Sequence, residues 1–178
     1  MTVELKMTMS ASDKKRALAV LEPLARAAEN PAGGLKIIGE ALLRTQNQRF
    51  KSETDPSGKP WEKLSVLTVE LRGSAGPILR RSGALMRSGA YQVSGRSLAV
   101  GLNTIYAGVQ QFGATITPKK ASALFIPFKA GFGGKNSGGF IRAQKVTIPA
   151  RPIVGFGDKD EKAAKGAVED WLGSFSKG

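Results

Sequence analysis

Apolar residues recur along this chain with two different periods, and the changes between them divide it into elements. From Met1 to Ser10 the sequence alternates, with Val3, Leu5, Met7 and Met9 set against Thr2, Glu4, Lys6 and Thr8. That is the period of a half-buried strand, not the apolar block of a signal peptide. A helical period follows toward Glu29: Leu18, Leu21, Leu24, Ala25 and Ala28 share a face, Ser12 is placed to cap it, and Pro23 bends or restarts it. Asn30-Pro31 and then Gly33-Gly34 end this helix. A second helix is predicted over Leu35 to Lys51. Leu35, Ile38, Leu42 and Thr45 line its packed side, joined by Ile37 and Ala41, while Lys36, Glu40, Arg44 and Gln48 face water.

Asp55-Pro56-Ser57-Gly58 has the composition of a turn. Ser65 is placed to cap a short helix through Leu71, Gly73 to Pro77 is a loop, and another short helix falls around Ser82 to Ser88. Tyr91–Val93 and Leu98–Leu102, joined through Ser94-Gly95-Arg96, carry a hairpin signal. Tyr106 to Phe112 gives one or two helical turns closed by Gly113. Strands are predicted at Thr115–Thr117, Leu124–Pro127 and Lys145–Ile148. Between Lys129 and Gly139, five glycines in eleven residues predict a mobile loop. Asp158 and Glu161 form a capping box for a C-terminal helix whose face holds Ala164, Ala167, Val168, Trp171, Leu172 and Phe175. The order is N-terminal helices, a mainly antiparallel sheet and a C-terminal helix. The expected fold is α+β, one domain over residues 1–178 with a long Gly-rich loop at 129–139.

Charge changes this picture more than composition does. The chain has 178 residues, 41% of them hydrophobic and 23% charged, enough to bury a real core. Between Glu70 and Asp158 there is no aspartate or glutamate, and residues 71–157 carry twelve of the 27 lysines and arginines. A folded surface built from that span presents one sign of potential, so its partner is a polyanion or an acidic protein. With no cysteine and no histidine, disulfides and thiolate metal sites are excluded, and the usual general base is missing. No apolar run reaches the 18 or so residues that span a bilayer. A soluble protein is expected, working in the cytoplasm or in something assembled there.

Candidate chemistry adds little. Gly133-Gly134-Lys135-Asn136 fails as a P-loop, because Lys129 stands where a glycine is needed and Asn136 where Ser or Thr is needed. Asp55 to Gly58 is too short and too poor in carboxylates for a calcium loop. Any serine nucleophile would have only lysine as its base. No catalytic, metal or cofactor-binding residue is assigned, and the chain is not expected to be an enzyme. Trp61, Trp171, Tyr106 and Phe112 are of the type that stacks on bases, but each has apolar neighbours, and core packing is expected. Arg80-Arg81 and Lys119-Lys120 are either solvated or in contact with phosphate or acidic side chains.

Four segments in order carry a resemblance. They are Arg49-Phe50 with Asp55-Pro-Ser-Gly-Lys-Pro-Trp61-Glu-Lys-Leu-Ser65; Ile78-Leu79 with Ser82-Gly-Ala-Leu-Met-Arg-Ser88; Ile105-Tyr-Ala-Gly-Val-Gln-Gln-Phe-Gly113; and Ile148-Pro-Ala-Arg-Pro-Ile-Val-Gly155. Taken together, over residues 40 to 172, they resemble the phage virion morphogenesis family, the tail-completion proteins of Mu-like and related tailed phages. Two departures stand out. Gln110 occupies a position where the family often has histidine, and glutamine keeps both a donor and an acceptor there. The Gly-rich loop is longer than the family pattern.

The resemblance implies a structural protein of the virion neck, assembled in the host cytoplasm. It implies a homo-oligomeric ring, six-fold in related tail terminators, that caps the tail tube and joins it to the head connector. Implied partners are the tail tube protein, the connector proteins and the genomic DNA passing through the channel; no membrane is involved. The alternatives are another connector ring of the neck and a free basic nucleic-acid-binding protein. Two prolines stiffen Ile148 to Pro152, and Arg151 is expected to be aimed at a neighbouring subunit or at a buried carboxylate of the C-terminal helix. The remaining expected interface residues are Lys119, Lys120, Phe128, Lys129, Phe132, Lys135, Phe140, Arg142 and Lys145. They form an assembly arm, with the phenylalanines as anchors and the cations meeting an acidic neighbouring ring.

Overall fold

The long helix of this protein starts earlier than its apolar period implies. The computed structural model describes residues 15, 25, 28–129, 132 and 137–175. Helix α1 runs Ala32–Ser52, so Gly33 and Gly34 lie in its first turn and do not break it. The reason is a neighbour distant in sequence. A Cβ on Gly34 would sit 2.7 Å from the Trp171 ring. The two glycines lose about 1 kcal/mol each in helix propensity, and the indole of the C-terminal helix lies in the space they leave. Lys36, Glu40, Arg44 and Gln48 are exposed as expected, while the packed side proves partly polar, with Thr45, Gln46 and Arg49 buried. The opening strand, the Ser12 cap and the Pro23 bend lie outside the described residues. Lys15, Ala25, Ala28 and Glu29 are helical.

The following elements keep close to their sequence signals. Helix α2 spans Val66–Arg72; Ser65 caps it by accepting from the Thr68 N–H, and left-handed Gly73 (φ 71°) closes it. Helix α3 is Ala84–Arg87 and helix α4 is Ala107–Phe112. Strands β1 (Gly89–Ser94) and β2 (Ser97–Leu102) form the predicted hairpin across Gly95-Arg96, with Tyr91 opposite Val100. This hairpin packs on α1, where Gly39 leaves room for the Tyr91 ring. Strand β3 (Ala114–Ile116) pairs with β6 (Val146–Ile148), and β4 (Leu124–Phe128) with β5 (Gly139–Ala143), both antiparallel. Helix α5, Asp158–Phe175, packs along α1.

The α+β expectation therefore holds, with two differences of detail. Among the described residues the strands make three separate two-stranded ribbons rather than one sheet. They are short, and Pro118, Pro127 and Pro149 remove backbone donors that a wider sheet would need. Strand β5 was read as the end of a loop and a gap, because the glycines before Phe140 hide its alternation. The central core consists of Phe50, Trp61, Ile78, Leu85, Ala107 and Ile153. Each of the four family-like segments supplies at least one of these side chains, so what they have in common is the core. Full burial of such side chains contributes about 1.5–3 kcal/mol for each large one.

Candidate assembly surface

The segment Ile148 to Gly157 is held by bonds from four directions. Arg151 is buried, and its Nε and Nη2 donate to the carbonyls of Glu62 (2.8 Å) and Lys63 (3.1 Å). Its N–H donates to the Gln110 carbonyl at 2.7 Å. The Trp61 Nε1–H donates to the Pro152 carbonyl at 2.8 Å, with its ring edge-on to Phe50 at 5.7 Å. Gln111, which the sequence reading passed over, accepts from the N–H groups of Ile153 (2.8 Å) and Val154 (3.0 Å) and donates to the Val154 carbonyl (2.8 Å). Its side chain thus stands in for a β-strand partner.

Arg49 supplies the fourth direction. Its Nη1 donates to the Ile153 carbonyl at 2.7 Å, and Nη2 donates to the Gly155 carbonyl and forms a buried ion pair with Asp160. Asp160 also accepts from the Thr45 hydroxyl and, at 2.9 Å, from the Gly157 N–H. The N-terminal cap of α5 is therefore one residue earlier than the expected box and one-sided, because Gly157 has no side chain to return the bond. Asp160 reaches back to Gly157, while Glu161 pairs with Lys165 at 2.6 Å on the surface. Burial pulls the Arg49 pKa down from its ordinary value, against the opposing pull of Asp160. Burial also lowers that of Arg151, with Glu62 opposing. Neither change uncharges an arginine at neutral pH.

The Asp55–Gly58 turn closes over this network. Asp55 Oδ1 accepts from the Ser57 N–H and the Lys59 N–H, both at 2.9 Å, and from the Ser57 hydroxyl at 2.7 Å. Although burial pushes the Asp55 carboxyl up, these bonds outweigh it and hold its pKa below the usual value. Pro56 fits so closely that a Cβ on Gly157 would lie 2.0 Å from its carbonyl oxygen. A cleft of about 590 Å³ remains between the turn and α1, lined by Gln48, Ser52, Thr54 and Lys159 among others. Its innermost charge, Arg49, is already engaged with Asp160 and two backbone carbonyls.

These positions correct one of the two expectations for Arg151. Within the subunit its side-chain hydrogen bonds go to backbone carbonyls, and the buried carboxylate of the C-terminal helix belongs to Arg49. A guanidinium with three donor nitrogens suits two successive carbonyls, here those of Glu62 and Lys63. At Gln110 it is the backbone carbonyl that bonds Arg151, and the adjacent Gln111 carries the side-chain clamp.

The other expected interface residues gather on the β4–β5 ribbon and the turns at its base. The register sets Phe125 opposite Arg142 and Pro127 opposite Phe140, so these four share one face. That face is exposed: Phe125 is 53% and Phe140 65% accessible. Their rings meet edge-on at 6.4 Å, and the Arg142 guanidinium lies 5.8 Å from the Phe125 centroid. Phe128 belongs to the opposite, half-buried face and packs on Phe132, with ring centroids 5.0 Å apart. The three phenylalanines expected to act together are thus split between the two faces, and Phe125 was missed. Period-2 alternation through Leu124–Phe128 was the signal that would have found it.

The cations are separated as well. Lys119 and Lys120, in the β3–β4 connection, and Lys145, between β5 and β6, are exposed at the base of the ribbon. Lys129 is exposed beyond its far end, about 17 Å from Leu124 at 3.4 Å per residue. Lys135 lies outside the described residues, as do most of residues 130–136. Of the four aromatics expected in the core, Trp61 is buried and Trp171 half-buried. Tyr106 and Phe112 are not in it; Phe112 is 80% exposed at the end of α4, where the turn into Gly113 directs it outward.

No helix among the described residues is long and apolar enough to cross a membrane. Searches of curated proteins and of solved structures find no match. The family model of the phage virion morphogenesis family matches residues 12–173, wider than the four segments and reaching into both ends of the chain. The core, the clamp on Ile148–Gly157 and α5 all lie inside that match, and the chain belongs to the phage virion morphogenesis family, with a structural or assembly role in the virion.

Proposed function

We propose that this chain is a tail-completion protein of the phage neck. Its copies close into a ring of six that caps the tail tube, stops its growth and docks to the head connector. The observation that carries this reading is the acid-free span of residues 71–157 with its twelve cations. Folded, it gives one-signed turns and a ribbon with bare aromatics, on a subunit whose buried charges already have hydrogen-bond partners within it. Such a surface serves contact rather than turnover, and a ring with a DNA channel needs broad contacts. An acidic protein ring is the better partner for the ribbon cations, because a channel lined with lysine would hold DNA by its phosphates instead of letting it slide.

Imaging of the purified protein and of isolated tails tests this. Closed six-fold rings at the head-proximal end of the tail tube are expected. Monomers or two-fold dimers alone, in solution and in virion necks, would end the proposal. Submicromolar, steeply salt-dependent binding of the monomer to duplex DNA would replace it with a free nucleic-acid-binding protein.

A further inference from the structure

The outer face of the β4–β5 ribbon and the outer stripe of α5 are complementary. A two-stranded ribbon is marginally stable by itself in water. The main contacts of the β4–β5 ribbon are between its own two strands. It nevertheless exposes Phe125, Pro127 and Phe140 together, with Arg142 beside them. Large aromatics of this kind are what buried interface centres are made of.

Helix α5 offers a matching surface. Phe156, Ala164 and Val168 line a shallow hollow of about 330 Å³ bordered by Glu161, Lys165 and Glu169. Phe156 is 67% exposed at its edge, and Leu172 extends the same stripe one turn on. Glu161 is paired with Lys165. Among the described residues Glu169 and Asp170 have no ion-pair partner, so the C-terminal half of the stripe is negative. The helix carries five acids and three lysines, immediately after a span of 87 residues with no acid at all.

We infer that the Phe125–Phe140–Arg142 face of one copy docks into the Phe156–Ala164–Val168 hollow of the next copy, with Arg142 meeting Glu169. This contact presupposes the ring proposed above and supplies its subunit interface. The two surfaces are different parts of the same chain, so the contact is head to tail, and repetition closes a ring. The phenylalanines provide the apolar centre, the Arg142–Glu169 pair lies at the rim, and the one-signed charge disfavours ribbon-to-ribbon pairing.

The chain has no cysteine, so single cysteines report contacts directly. Phe140→Cys and Val168→Cys subunits are mixed, oxidised, and followed both as purified protein and in assembled tails. A mixed disulfide dimer is expected, and a Phe140→Cys/Val168→Cys double variant should give a covalent ladder ending at the ring size. Arg142→Glu should lower the ring fraction about tenfold or more through like charge opposite Glu169, and adding Glu169→Arg should restore it. Wild-type rings without the mixed cross-link, and with Arg142→Glu rings intact, would overturn this contact and leave the ring standing. Phe140→Cys linking only to itself would mean two-fold ribbon pairing and overturn it as well. Wild-type protein that never closes into a ring, even in tails, would remove the ring and this contact together.

Discussion

Around Arg49 the chain satisfies its charges internally, whereas on the β4–β5 ribbon it leaves them to solvent. Asp160 is 1% exposed and takes bonds from Arg49, Thr45 and Gly157. Phe125 and Phe140, some of the largest side chains in the molecule, lie on the exposed face of a ribbon whose main contacts are between its own strands. The first region is a finished piece of folding and the second is half of an interface. Stability and assembly should therefore respond to different residues, and variants can separate them.

The largest effect on stability is expected at Asp160. Asp160→Ala leaves Arg49 buried without its carboxylate, and breaking such a pair costs about 3–5 kcal/mol. Chemical denaturation should show the loss as a lower midpoint at unchanged slope. The double variant Arg49→Met/Asp160→Leu removes both charges and should recover much of that loss. If Asp160→Ala unfolds at the wild-type midpoint, the clamp is not what fixes α5 to α1.

A steric effect comes next. Gly157 has an ordinary φ, yet a Cβ there meets backbone, 2.0 Å from the Pro56 oxygen. Gly157→Ala should cost about 1–3 kcal/mol, the range for overpacking a filled site. Gly166, in the interior of α5, provides the contrast, because its Cβ would meet nothing within 4 Å. Gly166→Ala should stabilise the protein by about 0.4–1 kcal/mol. Equal effects from the two substitutions would mean that helix propensity, and not the fit of the 55–58 turn, decides this end of the molecule.

These two glycines also mark what was legible in the sequence. Periodicity located α1, the β1–β2 hairpin and α5, because each turns one face inward along its length, while α2 was legible from its Ser65 cap. It failed where a residue answers to a distant partner. Gly33-Gly34 looked like a helix stop because nothing nearby in sequence announces Trp171. Glu161 looked like the cap partner because spacing cannot show that Asp160 faces Arg49, 111 positions away. At the candidate surface, charge singled out a stretch of chain, since a missing residue type is visible without any fold. Which cations share an end of the ribbon, and which phenylalanines share a face, depended on the pairing of β4 with β5. That register is set by residues on both sides of a glycine-rich gap. The family resemblance was legible for a related reason: its four segments are the ones that meet in the core.

A smaller effect is expected from acid. The Asp55 carboxyl has a folded pKa below its unfolded value of about 3.9. A depressed carboxylate contributes stability that is present above the unfolded pKa and lost as pH falls through the folded one. Thermal melts of wild type should therefore fall below about pH 4 more steeply than those of Asp55→Asn, which has no proton to gain. Parallel curves would show that the turn holds through Pro56 packing alone.

The smallest effect on the fold, and the most informative for assembly, is expected at the lysines of the ribbon ends. Lys129 and Lys145 are exposed, and none of the described hydrogen bonds or ion pairs uses their side chains. Replacing Lys129, Lys135 and Lys145 with serine should change unfolding free energy by no more than about 0.5 kcal/mol. Rings should still form, since the apolar centre of the proposed subunit contact remains. Joining of tails to heads should fail, because an acidic partner ring then meets hydroxyls in place of ammonium groups. In vitro complementation of purified heads with variant tails measures this directly. Normal joining with altered DNA ejection would instead place these lysines in the channel, where their partner is phosphate. A large loss of stability would break the separation itself, because the ribbon would then belong to the core it stands away from.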